Sequence, residues 1–150
     1  MRAVVQRVID CSVSVDGKIT GSIENGLLVY LGIHHEDTAA DIDYLARKIV
    51  NLRIFQDDQG KMNLSLIDTG GGILVISQFT LYADTSRGRR PSYNGAAPPD
   101  IAIPLYESFL EALSNLGIRP EKGIFGAKMH VRYCNDGPVT IILDSSSGTA

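Results

Sequence analysis

The chain has few cysteines and few prolines, and each shortage excludes a class of protein. Its 150 residues include two cysteines and six prolines. Cys11 and Cys134 are too few for a disulfide framework and lack Cys-x-x-Cys spacing, which is typical of proteins from a reducing compartment. With 44% hydrophobic and 21% charged residues, the composition indicates one compact globular domain rather than a disordered or fibrous chain.

The chain also lacks a surplus of positive charge and any long apolar segment. The formal net charge of −3 argues against a protein that coats nucleic acid through bulk electrostatics, although a local basic patch remains compatible with it. The longest strongly apolar run, residues 26–33, is far shorter than the roughly 20 residues of a membrane helix. Residues 1–7 show no signal-peptide pattern. We therefore expect a cytoplasmic protein with no membrane contact.

Hydrophobic periodicity predicts an α+β fold with many strands and two helices. The predicted strands cover residues 2–9, 11–15, 26–33, 53–56, 62–67, 73–81, 128–134 and 139–143, with a tight turn at Asp16-Gly17. The predicted helices cover residues 38–52 and a segment around residues 105–116 with Gly117 as its cap, and this second helix either begins near Pro104 or is kinked there. We expect a single domain over residues 1–144, built on a curved, mostly antiparallel and barrel-like sheet, and a flexible tail at residues 145–150.

Several short patterns suggest a cofactor or metal site, but none is complete. The glycines at 70–72 are not followed by Gly-Lys-Ser/Thr and do not form Gly-x-Gly-x-x-Gly. His34 and His35 are adjacent, so on one strand they would face opposite ways, and His130 stands alone. The acidic hairpin at 57–61 lacks most ligand positions of a calcium loop. We therefore expect neither a cofactor nor a metal ion.

Two segments place polar groups where a ligand could meet them. In residues 77–81, an apolar strand acquires two hydroxyls and an amide beside a polar loop; a strand end whose hydroxyls satisfy local backbone groups is the simpler interpretation. In residues 135–140, a glycine precedes a proline, which is most simply a hairpin turn. A rigid Gly-Pro turn can also direct two carbonyl oxygens at a ligand.

These segments, Ser77-Gln78-Phe79-Thr80-Leu81 and Asn135-Asp136-Gly137-Pro138-Val139-Thr140, resemble the two signature motifs of the D-aminoacyl-tRNA deacylase family. Residues 6–8, 60–63 and 87–92 also resemble family segments, in the family's order and spacing, and the similarity covers residues 1–143. Pro104 departs from the helix-compatible residue expected at its position. The resemblance implies the family's fold and hydrolysis of the ester of D-aminoacyl-tRNA, and of glycyl-tRNA mischarged on tRNA(Ala).

The resemblance further implies a homodimer with two active sites at the subunit interface. The Gly137-Pro138 bond is expected to be cis, with its carbonyls directed into the neighbouring site. A D side chain would then point to solvent, whereas an L side chain would strike these carbonyls. Arg7 is a candidate for holding the turn by bonding its carbonyls; the alternative is a surface charge on an edge strand.

For the chemistry, the backbone N–H groups of Phe79 and Thr80 are the candidates for stabilising the oxyanion. Ser77 and Gln78 would shape the pocket and contact the terminal adenosine. Thr80 could itself attack, but no histidine or lysine lies nearby in sequence to activate it. Attack by water, assisted by the 2′-hydroxyl of the terminal ribose, is the more economical mechanism.

The tRNA phosphates would be contacted by a loop that carries Arg87, Arg89 and Arg90. Lys128 and Arg132 are further candidates for such contacts. The alternative is that the arginine loop is solvated and has no role in binding.

Two other functions compete with this hypothesis. A non-catalytic RNA-binding module would use the arginine loop alone, but only Tyr82 and Tyr93 lie nearby to stack on bases. A small-molecule esterase would use Thr80 or Ser77 as nucleophile, but it would lack both a Gly-x-Ser-x-Gly elbow and a base.

Overall fold

Two long strands at the start of the chain organise the fold. In the computed structural model, which describes residues 1–147, β1 (Arg2–Val15) and β2 (Lys18–Gly32) pair antiparallel around a turn at Asp16 and Gly17. Both turn residues have positive φ, 49° and 77°, as the predicted two-residue turn requires. The remaining strands are β3 (Phe55–Gln56), β4 (Met62–Leu64), β5 (Gly72–Ser77), β6 (Pro120–Lys122) and β7 (Met129–Asp144).

Five of these strands form one sheet, in the order β6-β5-β2-β1-β7, and β3 pairs with β4 in a small hairpin. The long pairs of β1 with β2 and β7 are antiparallel, whereas β5 is parallel to β2 and β6. The α+β prediction is thus confirmed, and the sheet is curved but not closed, since β6 and β7 remain its two edges.

The main core lies between one face of this sheet and the helices α1 (Ala39–Val50) and α3 (Pro99–Asn115). The Tyr106 hydroxyl of α3 donates to the carbonyl of Val75 at 2.8 Å and ties the helix to β5. Burial raises the pKa of Tyr106, so this phenol stays protonated. A smaller apolar cluster on the opposite face contains Cys11, and burial raises the pKa of its thiol to about 11.

The helix ends follow the local sequence. Asp41 accepts from the Thr38 backbone N–H at 2.8 Å, which caps α1 close to the predicted start. Helix α3 ends in a Schellman motif, in which Gly117 has φ +84° and donates to Ser114, while Ile118 donates to Leu113. The predicted start near Pro104 is wrong. Helix α3 begins at Pro99, because proline is well suited to a first helical position, and it continues through Pro104.

Several predicted strands differ from the observed elements. The strand predicted at 73–81 ends at Ser77 and continues as a 3-10 turn, Phe79–Tyr82. The strand predicted at 62–67 stops at Leu64, because Ser65 accepts from the Asp68 N–H at 3.2 Å and caps the one-turn helix α2 (Leu66–Thr69). The two strands predicted at 128–134 and 139–143 are one strand, β7, so the Gly-Pro segment is a bulge and not a hairpin turn.

The tail expected at 145–150 begins as a single 3-10 turn, Ser145–Ser147. Ser145 is buried and its N–H donates to the Met1 carbonyl at 2.9 Å, while residues 148–150 lie outside the described residues. Of the helices in residues 1–147, none is both long enough and apolar enough to cross a membrane.

Candidate active site

The carboxyl end of β5 supplies the first part of the site. The Gln78 N–H donates to Leu31 of β2 at 2.8 Å, and the chain then turns away from the sheet. The first bond of the 3-10 turn runs from the Leu81 N–H to the Gln78 carbonyl, at 3.3 Å. The amides of Phe79 and Thr80 precede the first hydrogen bond of the turn, so neither N–H donates within the turn.

A cavity of about 610 Å³ opens beside this turn. Ser77, Gln78 and Phe79 form one wall, while Thr80 is not part of the lining. Most of the other lining groups are apolar and come from the loop before α3, from α3, from the segment before β7 and from β7 itself: Tyr93, Ala96, Ala97, Pro99, Ala102, Phe125, Gly126, Ala127, Met129 and Val131. A volume of this size, with few polar groups on an apolar wall, is typical of a small-molecule or nucleoside site.

Two contacts fix the side chains of the turn. Gln78 Nε2 donates to Thr80 Oγ1, so the described partner of the Thr80 hydroxyl is an amide donor and not a base. Phe79 is 57% exposed, and its ring lies edge-on to Tyr93 with centroids 5.0 Å apart. The two rings form an aromatic pair at the cavity.

The second predicted segment forms a bulge in β7. Gln6 of β1 is opposite Thr140 and Val8 is opposite Asn135, so the single residue Arg7 faces the four residues 136–139. The Gly137-Pro138 bond in this bulge is cis, as the resemblance implies, and both residues are exposed. Gly137 has φ +131°, and a Cβ there would lie 2.8 Å from the Val139 side chain, so no larger residue fits this backbone.

Arg7 supports the bulge from inside the fold. It is 7% exposed and lies on β1, between β2 and β7, so it is not a surface charge on an edge strand. Its Nε donates to the Asp136 carbonyl at 3.2 Å and lies 2.9 Å from the Asp136 carboxylate, while Nη1 donates to the Ile54 carbonyl. The carbonyl that Arg7 bonds is therefore the one immediately before Gly137.

Sequence reasoning assigned no role to Asn135 and Thr140, which hold the two ends of the bulge together. Asn135 Oδ1 accepts from the Val139 N–H at 2.8 Å, and its Nδ2 donates to Thr140 Oγ1 at 3.2 Å. Gln6 also donates to Thr140 Oγ1, at 3.0 Å. The signal was present in the sequence, because an amide and a hydroxyl flank the Gly-Pro pair on either side.

The predicted arginine loop is a projecting hairpin. Asp84 and Ser92 exchange two backbone hydrogen bonds of 2.7 and 2.9 Å, and Arg87, Arg89 and Arg90 are exposed between them. In the part of the chain that the structure describes, none of these three arginines forms an ion pair.

His34 and His35 do not share a strand, so the opposite orientation expected for neighbours on one strand does not apply. His34 forms an isolated bridge with Ala96, and His35 lies in the turn that follows. Their rings are 4.0 Å apart, and their ligand atoms and one from Glu36 all lie within 4.8 Å of one another. These are the residues that could hold a metal ion, although His35 and Glu36 are exposed.

Comparisons with known proteins identify relatives that match almost the whole chain. The family model for D-Tyr-tRNA(Tyr) deacylase matches residues 4–144. The D-aminoacyl-tRNA deacylases of Thermosipho africanus and Fervidobacterium nodosum are 59% and 60% identical over 145 residues, which cover 97% of this chain and 97% of each relative.

Two solved structures share the fold. One, a c-Myc DNA unwinding element binding protein, has a TM-score of 0.91 at 44% identity, with 96% of this chain and 98% of that chain covered. The other, from a structural analysis of a probable eukaryotic D-amino acid tRNA deacylase, has a TM-score of 0.81 at 18% identity over 95% and 97% of the two chains. With a family model that matches almost the whole chain and relatives of nearly 60% identity, the chain belongs to the D-Tyr-tRNA(Tyr) deacylase family of hydrolases.

Proposed function

We propose that this chain hydrolyses the ester of D-aminoacyl-tRNA and releases the free D-amino acid and tRNA. The observation that carries the proposal is the apolar cavity beside the Phe79–Tyr82 turn, which Phe79 lines and where the backbone amides of Phe79 and Thr80 precede the first hydrogen bond of the turn. The cavity suits a terminal adenosine, and the amides suit the oxygen that becomes negative as the ester carbonyl is attacked. The sequence identity to relatives named D-aminoacyl-tRNA deacylase supports the same activity.

In this mechanism the amides of Phe79 and Thr80 stabilise the oxyanion, and Ser77 and Gln78 position the terminal adenosine. Water attacks the ester carbonyl carbon, assisted by the 2′-hydroxyl of the terminal ribose; the bond to the 3′-oxygen then breaks and that oxygen takes up a proton. The Thr80 hydroxyl is a poor nucleophile here, since its described partner is the Gln78 amide rather than a general base. No cofactor or metal ion is needed in these steps.

The same proposal assigns chiral selection to Gly137 and Pro138 of a second subunit. Neither residue lines the cavity of its own chain, while both are exposed on an edge strand, where another copy can receive them. Their carbonyls would occupy the space that an L side chain requires, whereas a D side chain would point to solvent. Glycine has no side chain to reject, so glycyl-tRNA mischarged on tRNA(Ala) is also a substrate. The functional unit is a homodimer in the cytoplasm.

The arginine loop would contribute electrostatic attraction to tRNA binding. Arg87, Arg89 and Arg90 would contact phosphates and add affinity that does not depend on base sequence. Three such contacts weaken tRNA binding on the order of 20–40-fold between about 50 and 200 mM salt, because each contact contributes a slope of about 0.7–0.9.

The test uses purified protein with D-tyrosyl-, L-tyrosyl- and glycyl-tRNA at two salt concentrations, and measures the amino acid released. We expect hydrolysis of the D-tyrosyl and glycyl esters, no hydrolysis of the L-tyrosyl ester, and a higher KM at high salt. Hydrolysis of none of the three esters would refute the activity. Hydrolysis of the D-tyrosyl ester alone would refute selection by exclusion of a side chain.

A further inference from the structure

The first residues of β7 and the residue before it carry a row of exposed basic side chains. Met129 and Val131 pack into the smaller apolar cluster and line the cavity. Lys128, His130 and Arg132 alternate with them along the chain and are exposed. Because successive side chains of a strand point to opposite sides, His130 and Arg132 lie on the outside of the wall that encloses the cavity, and the exposed Lys128 immediately precedes them.

Hydroxyl groups extend this face onto the neighbouring strand. In the register of β1 with β7, Ser14 is directly opposite His130 and Ser12 is directly opposite Arg132. Side chains of directly opposed residues share a face of the sheet. In the described residues, none of Lys128, His130 and Arg132 forms an ion pair, so their donors are available to a ligand.

The basic row is continuous with the cavity. Lys128 lies between Ala127 and Met129, and both of these residues line it. Farther along the sheet, toward the Gly-Pro bulge, the exposed residues Asp10 and Glu24 are acidic. At the cavity end of this face, Asp16 of the β1–β2 turn is acidic, but Lys18 follows it in the same hairpin. Basic residues therefore outnumber acidic ones at this end, in a chain whose net charge is −3.

From this arrangement we propose that Lys128, His130 and Arg132, with Ser12 and Ser14, bind the phosphates of the RNA strand that precedes the terminal nucleoside. The inference rests on the proposed function, since that function places the terminal nucleoside in the cavity. Residues two apart on a strand are about 7 Å apart, which is comparable to the separation of consecutive phosphates. Lysine, arginine and serine are among the side chains that contact nucleic acid backbones.

The test compares two substrates, D-tyrosyl-tRNA and D-tyrosyl-adenosine, which carries the same ester on a nucleoside without phosphates. For Lys128→Glu/Arg132→Glu we expect KM for the tRNA to rise at least about tenfold with kcat unchanged, and hydrolysis of the nucleoside ester to match the wild type. The salt dependence of tRNA binding should become shallower by about one to two contacts. The milder Lys128→Gln/Arg132→Gln variant should show the same pattern at smaller size.

The control is Lys48→Glu/Lys61→Glu, which changes the net charge equally on helix α1 and on the β3–β4 hairpin, outside the five-stranded sheet. Its KM for the tRNA should stay within about twofold of the wild type. Three results would refute the proposed phosphate-binding surface without refuting the proposed activity. They are an unchanged KM in the Lys128/Arg132 variants, an equal rise of KM in the control, and a parallel loss of nucleoside ester hydrolysis. A wild-type protein that cleaves neither ester would overturn both proposals.

Discussion

At the scale of single residues, the proposed mechanism uses backbone groups that side chains hold in place. The candidate oxyanion donors are main-chain amides, and the candidate chiral filter is a pair of main-chain carbonyls. The side chains of Gln78, Arg7 and Asn135 make hydrogen bonds to neighbouring groups of the protein. Substitutions at these positions are therefore expected to act through geometry rather than through loss of a reacting group.

Thr80 provides the test of which group attacks the ester. If water assisted by the ribose 2′-hydroxyl attacks, Thr80→Ala should retain at least about a third of the wild-type kcat/KM, since its backbone amide remains. If the Thr80 hydroxyl is the nucleophile, kcat should fall by a factor on the order of 10³ or more. Single-turnover kinetics with D-tyrosyl-tRNA measure the difference. A D-tyrosyl-tRNA that ends in 2′-deoxyadenosine should be nearly inert only if the ribose 2′-hydroxyl assists the attack of water.

Asn135 provides the test of the bulge. Asn135→Ala removes the acceptor of the Val139 N–H and the donor to Thr140, which frees the segment that carries Gly137 and Pro138. We expect the ratio of kcat/KM for D- over L-tyrosyl-tRNA to fall at least about tenfold, with hydrolysis of the D ester largely retained. Asn135→Asp keeps the acceptor but loses the donor, so it should show a smaller fall. An unchanged ratio in both variants would mean that the amide does not position the filter.

At the scale of elements, two glycines show how the surroundings of a backbone position decide whether it tolerates a side chain. Gly117 closes α3 at φ +84°, and a Cβ there would meet nothing within 4 Å. Gly26 in β2 has φ +140°, and a Cβ there would overlap the Gly72 carbonyl of β5. Both glycines need an unusual backbone conformation, but only Gly26 is also confined by a neighbouring strand.

These environments predict different costs for the same substitution. Gly117→Ala should lower the free energy of unfolding by about 1 kcal/mol, from the backbone conformation alone, and leave activity unchanged. Gly26→Ala should cost several times more, on the order of 3 kcal/mol or above, because β2 and β5 must separate. Urea unfolding followed by circular dichroism measures both. Equal losses in the two variants would contradict the close contact of Gly26 with Gly72.

Element prediction from sequence succeeded where the pattern is local. The Asp16-Gly17 turn, the capped start of α1 and the Gly117 cap of α3 depend on residues within one turn of each other, and all three predictions are confirmed. The bulge at residues 136–139 was predicted as the break between two strands, because a Gly-Pro pair usually ends a strand. Only the pairing of β1 with both halves of β7 makes them one strand.

At the scale of the whole molecule, the cavity and the Gly-Pro bulge belong to different parts of the sheet. The cavity lies at the end of β5 and reaches Met129 and Val131 at the start of β7, while the bulge occupies residues 136–139 farther along β7. Each strand residue rises about 3.3 Å, so about 17 Å of strand separate Val131 from the bulge. This separation is the physical basis for assigning the bulge to the cavity of a partner.

Mixed dimers can test that assignment. Deletion of Gly137 and Pro138 should produce a variant that cleaves both D- and L-tyrosyl-tRNA, and Ala102→Trp should block the cavity and inactivate its own subunit. The deletion variant is then mixed with an excess of the blocked variant, so that most of its open cavities receive an intact bulge from a blocked partner. We expect cleavage of L-tyrosyl-tRNA to fall, while cleavage of D-tyrosyl-tRNA per open cavity persists. Persistent L cleavage at every mixing ratio would place the filter within one chain. Sedimentation velocity checks that the mixed species form.

The sequence by itself determined the secondary structure of most of the chain, the class of fold and the two segments that resemble the family motifs, because each depends on periodicity, turn chemistry or residues that are adjacent along the chain. The tertiary structure decided which of these segments meet. Strand pairing buries Arg7 behind the Asp136 carbonyl, and the same pairing turns the Gly-Pro segment into a bulge. Packing of α3 and the residues before β7 against the end of β5 encloses the cavity beside Phe79. Such contacts join residues that are distant along the chain, and no local pattern encodes the distance between them.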